Sequence, residues 1–482
     1  WEIVRRANHP NIGLILDSFH TLARKIDVNS IRAIPADKIF FVQLADAPLI
    51  DMDLLYWSRH FRNMPGEGDL PVVDFMRAVA STGYTGTLSL EIFNDQFRGG
   101  SPKAISVDGH RALFYLMDQV KRAEPEVKLD VPHMPDRIDV SGVEFVEFTA
   151  DGHDGEQISD LLQTLGFARS GAHRSKDVTL WRQGDINILI NTEDEGFAHS
   201  SYLVHGTGVC DIGLRVEDAA ATVARARALG GVPFSQAIGP GELEIPAIRG
   251  VGGGIMHFID KKTELANIWE IDFDVDQAAR PARDVGLTRL DHLAQTMNYE
   301  ELLTWLLFYT SIFKTEKAPM VDMVDPGGLI RSQVIENADG SLRFSLNGAQ
   351  STKTLAGHFI SERFGSAVQH LAFATHDIFA TANALNANGF TPLSISPNYY
   401  DDLDARFDLD EELLAQLKAQ NILYDRDENG EFFQLYSPNY GEGFFFEIVE
   451  RRDDYRGYGA ANAQFRLAAQ KRLMRPAGAA HI

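Results

Sequence analysis

A single cysteine, Cys210, stands in the 482 residues, so no internal disulfide forms, and that usage fits a reducing compartment. No apolar run approaches the roughly 20 residues that a membrane span needs. Neither a secretory signal nor a lipidation motif is read. Basic residues are scarce, 45 against 68 acidic ones, and the net charge of −23 argues against nucleic acid as a partner, because phosphate binding needs clustered Lys and Arg. The expectation is a cytoplasmic protein that engages neither nucleic acid nor membrane. The chain also opens without methionine: "WEIVRRANHPNIGLILDSFH" reads as the end of a helix running into a strand, and the expectation is a fragment.

What is present is the composition of a globular protein, 44% hydrophobic and 23% charged, at a length that suggests about three domains. Residues 1–124 alternate apolar strands, "IGLILD", "KIFFVQLAD" and "GTLSLEIFND", with helices, the first of them predicted over Ser18–Arg32. That alternation implies a parallel sheet covered on both faces. Residues 125–141 are rich in Pro and charge and read as a linker.

The rest is an internal repeat. "VCDIGLRVEDAAATVARARALGG" (209–231) lines up with "VQHLAFATHDIFATANALNANGF" (368–390), and "VEFVEFTAD" (143–151) with "LDHLAQTMN" (290–298). Pairing "NIWEIDFD" (267–274) with "GFFFEIVE" (443–450) completes two copies, 142–275 and 287–465, with a tail at 466–482. In the second copy the aligned positions are His292, His370 and Glu447; in the first they are Phe145, Asp211 and Glu270. A lone histidine in an apolar strand is ordinarily a hydrogen-bonded core residue. Two imidazoles and a carboxylate brought to one point instead suit a non-haem Fe(II) or related divalent ion. The first copy, with Phe145, is expected to hold no metal.

The strands of residues 1–124 end in Asp17, Gln43 and Glu91. Parallel β/α barrels keep their active groups at the C-terminal strand ends, and three oxygen donors there suit a hard divalent ion. Singly, each of these residues serves as readily as a helix cap. His20 lies one turn beyond Asp17, and "YWSRHFR" (56–62) carries Ser58 and Arg62 after the second strand, with His60 read as a surface residue.

Two resemblances sharpen this. "VQHLAFATHDI", "ILYDRDENGEFFQLYSPN", "FFFEIVERR" and "RGYGAANAQFRLA" resemble 4-hydroxyphenylpyruvate dioxygenases over about residues 142–470. This implies paired vicinal-oxygen-chelate βαβββ modules with a metal, Fe(II) or Mg²⁺, on His292, His370 and Glu447. "RFSLNGAQS" keeps Asn347 but lacks the Glu-Pro usual in that family, and "FGSAVQH" lacks its Gly-Pro-Gly. "LILDSFH", "FVQLADAP", "MPGEGDLPVVDF" and "GYTGTLSLEIFND" resemble xylose isomerase-like barrels and, more narrowly, bacterial 3-dehydroshikimate dehydratases in their two-domain form.

The implied fold is α/β plus α+β: the C-terminal half of a TIM-type β/α barrel, then two vicinal-oxygen-chelate modules. The implied ligands of a barrel Mg²⁺, Mn²⁺ or Co²⁺ are Asp17, Gln43 and Glu91, a fourth ligand in the family being a glutamate on an earlier strand. His20 is the candidate proton carrier; Ser58 and Arg62 match positions that family uses near the substrate, and Arg62 is the candidate partner of the 3-dehydroshikimate carboxylate. An Fe(II) oxygenase acting on an α-keto acid is the alternative activity. A homo-oligomer paired through sheet edges is expected.

Overall fold

The computed structural model describes residues 1–95, 97 and 100–473, and the chain divides into two compact units. The first comprises Trp1–Arg137 with two short segments from further along, 224–231 and 303–312. Its sheet has three parallel strands in the order β1 (Leu14–Asp17), β2 (Ile39–Leu44) and β3 (Leu88–Leu90). Parallel strands need crossover connections, supplied here by helices Ser18–Ala23, Leu54–His60 and Val72–Ser81. The first is shorter than expected: Ala23 ends it, and residues 28–33 form a separate 3-10 turn. Phe19, Val42, Leu44, Phe75, Val79 and Val120 pack the core. A closed TIM barrel has eight strands; the described residues supply three, with Ile15 of the edge strand 63% exposed.

Within this unit, Arg225 is fully buried, ion-paired to Asp118 at 3.2 Å, and donates to the Ser311 carbonyl at 2.7 Å and the Pro135 carbonyl at 2.6 Å. Thr304 donates to Asp108 at 2.9 Å, and Arg111 spans Asp108 and the Leu229 carbonyl. These bonds tie the two later segments in. Where composition suggests a linker, Met134 and Ile138 are buried.

The second unit contains two mixed sheets. The first module runs β4 (Val140–Thr149), helix Gly152–Thr164, β5 (Ala168–His173), β6 (Val178–Gln183), β7 (Ile186–Asn191); then β8 (Gly208–Val216), a helix, β9 (Pro233–Phe234), β10 (Ala247–Arg249), β11 (Ile255–Ile259), with β12 (Phe273–Val275) at the edge. Each half is a βαβββ unit, and β4 and β8 join the halves antiparallel. The second module repeats this with β13 (Leu287–Asn298), a helix, β14 (Glu316–Lys317), β15 (Val321–Asp325), β16 (Gly328–Glu336), β17 (Arg343–Ala349); then β18 (Ala367–Thr375), helices, β19 (Leu423–Arg426), β20 (Gly430–Tyr436), β21 (Phe445–Asp453). Helix Ala460–Leu473 crosses the predicted boundary between the second copy and the tail; residues 474–482 lie outside the described residues.

Register corrects one alignment. In the second module His292 faces Ala372 across β13 and β18, and Ala372 faces Glu447 on β21. In the first, Phe145 faces Gly213, and Gly213 faces His257 on β11. The counterpart of Glu447 is therefore His257, not Glu270, which sits in a short helix, Ile268–Ile271. The similarity of "WEI" to "FEI" misleads because three residues carry no register.

Candidate metal centre and active site

In the second module three strands deliver one ligand atom each. His292 Nε2 stands 3.2 Å from His370 Nε2, and each is 3.4 Å from Glu447 Oε2. All three residues are buried, and they are the one such cluster of His, Cys, Asp and Glu among the described residues. Neighbouring ligands each about 2.1 Å from one ion stand roughly 3.0–3.4 Å apart, so the donor atoms fit a divalent metal. Two imidazoles and a carboxylate on one side leave further coordination positions open.

The surroundings orient these donors. A register shift between Leu290 and His292 brings the buried Asp291 to His292 Nδ1 at 2.9 Å. Asp291 is itself held by Arg343 at 3.0 Å and Arg451 at 3.1 Å. With Nδ1–H given to Asp291, Nε2 keeps its lone pair toward Glu447, the usual support of a metal-bound histidine. Gln434 donates to Glu447 Oε1 at 2.8 Å and accepts from Asn462. Burial disfavours protonation of His292, but Asp291 and Glu447 outweigh it and raise its pKa. Burial holds His370 down to about 4, the neutral form that ligates. For Glu447, burial is outweighed by the two imidazoles and its pKa is lowered. Asp291, Arg343 and Arg451 went unseen in the sequence; a carboxylate directly before a ligand histidine was the available signal. Asn347 is buried on β17, where it pairs in register with Thr296.

In the first unit the parallel register sets Asp17 beside Gln43, and the Glu91 amide bonds to the Leu44 carbonyl just past β3. Gln43 donates to Glu91 Oε1 at 2.8 Å. Arg62, 2% exposed, places Nη1 between Asp17 Oδ2 at 3.1 Å and Glu91 Oε2 at 2.8 Å. Its Nε and Nη2 reach Ser58 O and Oγ at 3.0 and 2.8 Å. Its Nη2 also lies 3.2 Å from His20 Nε2. An arginine only donates, so His20 Nε2 carries a lone pair. His20 is half exposed and 3.9 Å from Asp17. Asp17 also caps the helix Ser18–Ala23 through the His20 amide, so its cap and site roles coexist. The six barrel residues named from the sequence thus stand together at the strand ends. Two carboxylates and an amide oxygen are hard donors that fit Mg²⁺, Mn²⁺ or a similar ion. His60 pairs with Asp95 at 2.9 Å.

The xylose isomerase-like TIM barrel family matches residues 1–116, and the hydroxyphenylpyruvate dioxygenase N-terminal family matches residues 135–274. The chain is 44% identical, over 97% of its length, to a 3-dehydroshikimate dehydratase of Pseudomonas putida, covering 74% of that protein. A namesake from Pseudomonas aeruginosa is 44% identical over 98% of this chain and 76% of its own. The chain belongs to the 3-dehydroshikimate dehydratase family. Among solved structures, a "xylose isomerase-like TIM barrel/4-hydroxyphenylpyruvate dioxygenase fusion protein" superposes with a TM-score of 0.87 at 44% identity, over 98% of this chain and 76% of that one. Both domain types of that fusion architecture are therefore represented, and both imply divalent-metal binding.

The first module lacks the metal triad but is not inert. Glu147 lies opposite Asp211, and Asp211 bonds His257 Nδ1 at 2.5 Å. Burial and the Asp211 charge push Glu147 up to about 7. An acid whose pKa is raised on folding stabilises least once ionised: the penalty is absent below about pH 4.5, grows toward pH 7 and is complete above it. Replacing Glu147 by Gln removes it. Melting temperatures of Glu147→Gln and the parent are expected to agree better at pH 5 than at pH 8, where the variant melts about 2–4 °C higher.

Proposed function

We propose that the chain is a lyase that dehydrates 3-dehydroshikimate to protocatechuate in its barrel unit. The observation that carries this is the cluster of Asp17, Gln43, Glu91, Arg62, Ser58 and His20 at the ends of three parallel strands, in a chain of this family. The reaction removes one water and moves no electrons to an outside acceptor, so it needs a base, an acid and stabilisation of an enolate. Asp17, Gln43 and Glu91 would hold a divalent ion, which would supply Lewis-acid stabilisation of that enolate. His20, whose Nε2 lone pair is freed when Arg62 Nη2 turns from it to the substrate carboxylate, takes the proton next to the ketone and returns it to the departing hydroxyl. Ser58 fixes the Arg62 plane. Arg62 presents the planar fork that suits the substrate carboxylate, and it exchanges part of its bonding to Asp17 and Glu91 for that partner.

His292, His370 and Glu447 of the second module would hold a second divalent ion, Fe(II) or Mg²⁺, which takes no part in the dehydration. The test is anaerobic: the protein, Mg²⁺ or Mn²⁺ and 3-dehydroshikimate, followed by ultraviolet absorbance. Protocatechuate is expected to form at unchanged rate in His370→Ala. Oxygen uptake with an α-keto acid and no anaerobic product would replace this reading by the oxygenase one.

A further inference from the structure

The first module carries an open cavity of about 1090 Å³ lined in part by β4, β7, β8 and β11. Small-molecule sites run to about this size, and a metal ion needs a small fraction of it. Among the residues that line it, Asp211 is 5% exposed; one carboxylate oxygen bonds His257, and the other, Oδ1, is buried with no hydrogen-bond partner. An acceptor left so costs free energy until a donor reaches it. Glu147, opposite Asp211 across the two strands, accepts from Asn191 through Oε1 at 2.9 Å. Phe145 stands where the second module has His292, so a ring face replaces a ligand nitrogen. Phe197 and Phe234 supply further rings, with the Arg249 guanidinium stacked on both at 4.8 and 4.5 Å.

We propose that this cavity is a second small-molecule site that takes an aromatic ring with adjacent hydroxyls, its donors on Asp211 and Glu147 and its face against Phe145. The two acceptors come from register-paired residues, which suits neighbouring donors on one ring edge. Lys176 and Arg249 line the same cavity and suit an acid group on the far side of that ring. The product of the proposed dehydration has this chemistry, so the choice of natural ligand rests on that reading, whereas the site itself does not.

The test is calorimetry of the whole chain with protocatechuate and with catechol, which lacks the acid group. Two protocatechuate sites per chain are expected, one lost in Glu91→Ala. The other is expected to weaken at least about tenfold in Asp211→Asn and in Glu147→Gln, with parent-like circular dichroism of both variants showing that they fold. Catechol is expected at the Asp211 site alone. Binding of both compounds unchanged by Asp211→Asn and Glu147→Gln overturns the proposal. A single site that responds to Asp211→Asn and ignores Glu91→Ala upholds it and overturns the barrel reading instead.

Discussion

Glu91→Gln is expected to lower protocatechuate formation by at least about 100-fold, the largest effect on activity of any single change in the barrel. Glu91 has three partners at once: Gln43 on Oε1, Arg62 on Oε2, and the Leu44 carbonyl on its amide. The substitution keeps size and removes one of two negative charges from the donor set, where a hard divalent ion depends on anionic oxygen. Loss of a group that merely supports a ligand already costs about 10–100-fold in metal affinity or activity, and loss of a ligand charge costs more. It also leaves Arg62 with Asp17 as its one remaining carboxylate. Anaerobic ultraviolet kinetics with metal titration check it: raising Mn²⁺ recovers part of the rate if the charge serves the metal. Full activity of Glu91→Gln at ordinary metal concentration would remove Glu91 from the proposed ligand set.

Asp291→Ala is expected to destabilise the second module by about 3–5 kcal/mol, because it strands buried charge rather than removing a pair. Arg343 and Arg451 both end on Asp291; Arg343 keeps Glu336 at 3.0 Å, while Arg451 keeps only carbonyls and ring faces. His292 loses its Nδ1 acceptor in the same step, so metal affinity is expected to fall about 10–100-fold. Asp291→Asn separates the two effects, since it keeps an acceptor oxygen for one partner and drops the charge. Thermal denaturation with and without chelator gives the comparison. An Asp291→Ala chain that melts like the parent and keeps its metal would show that the arginines, not Asp291, organise the site.

His370→Ala, by contrast, removes one of three donors on the second module and touches nothing in the barrel cluster, which is why its expected effect is on metal content and not on turnover. The same logic separates the first module: Phe145 and His257 have replaced His292 and Glu447 there, and what survives is an acid–imidazole pair inside a cavity.

His292, His370 and Glu447 were legible because each sits in a strand whose apolar pattern is local, and because the repeat supplies the frame that stacks those strands. Asp17, Gln43 and Glu91 were legible because parallel strands keep functional groups at their C-terminal ends, a rule that needs no coordinates. Chain order and hydrophobic periodicity therefore indicated the parallel strands of the first unit and the repeat of the second, while the motif resemblances supplied the families and the candidate ligands. Tertiary structure alone decided three things. It placed His257 rather than Glu270 opposite the second strand, because pairing follows backbone register and bulges, which a three-residue likeness does not encode. It drew Asp291, Arg343 and Arg451 together from three strands, and Arg62 between two carboxylates, because buried ions pair wherever distant segments meet. And it left Asp211 Oδ1 without a donor beside a large cavity, since an unmet hydrogen bond is a property of packing and has no sequence pattern of its own.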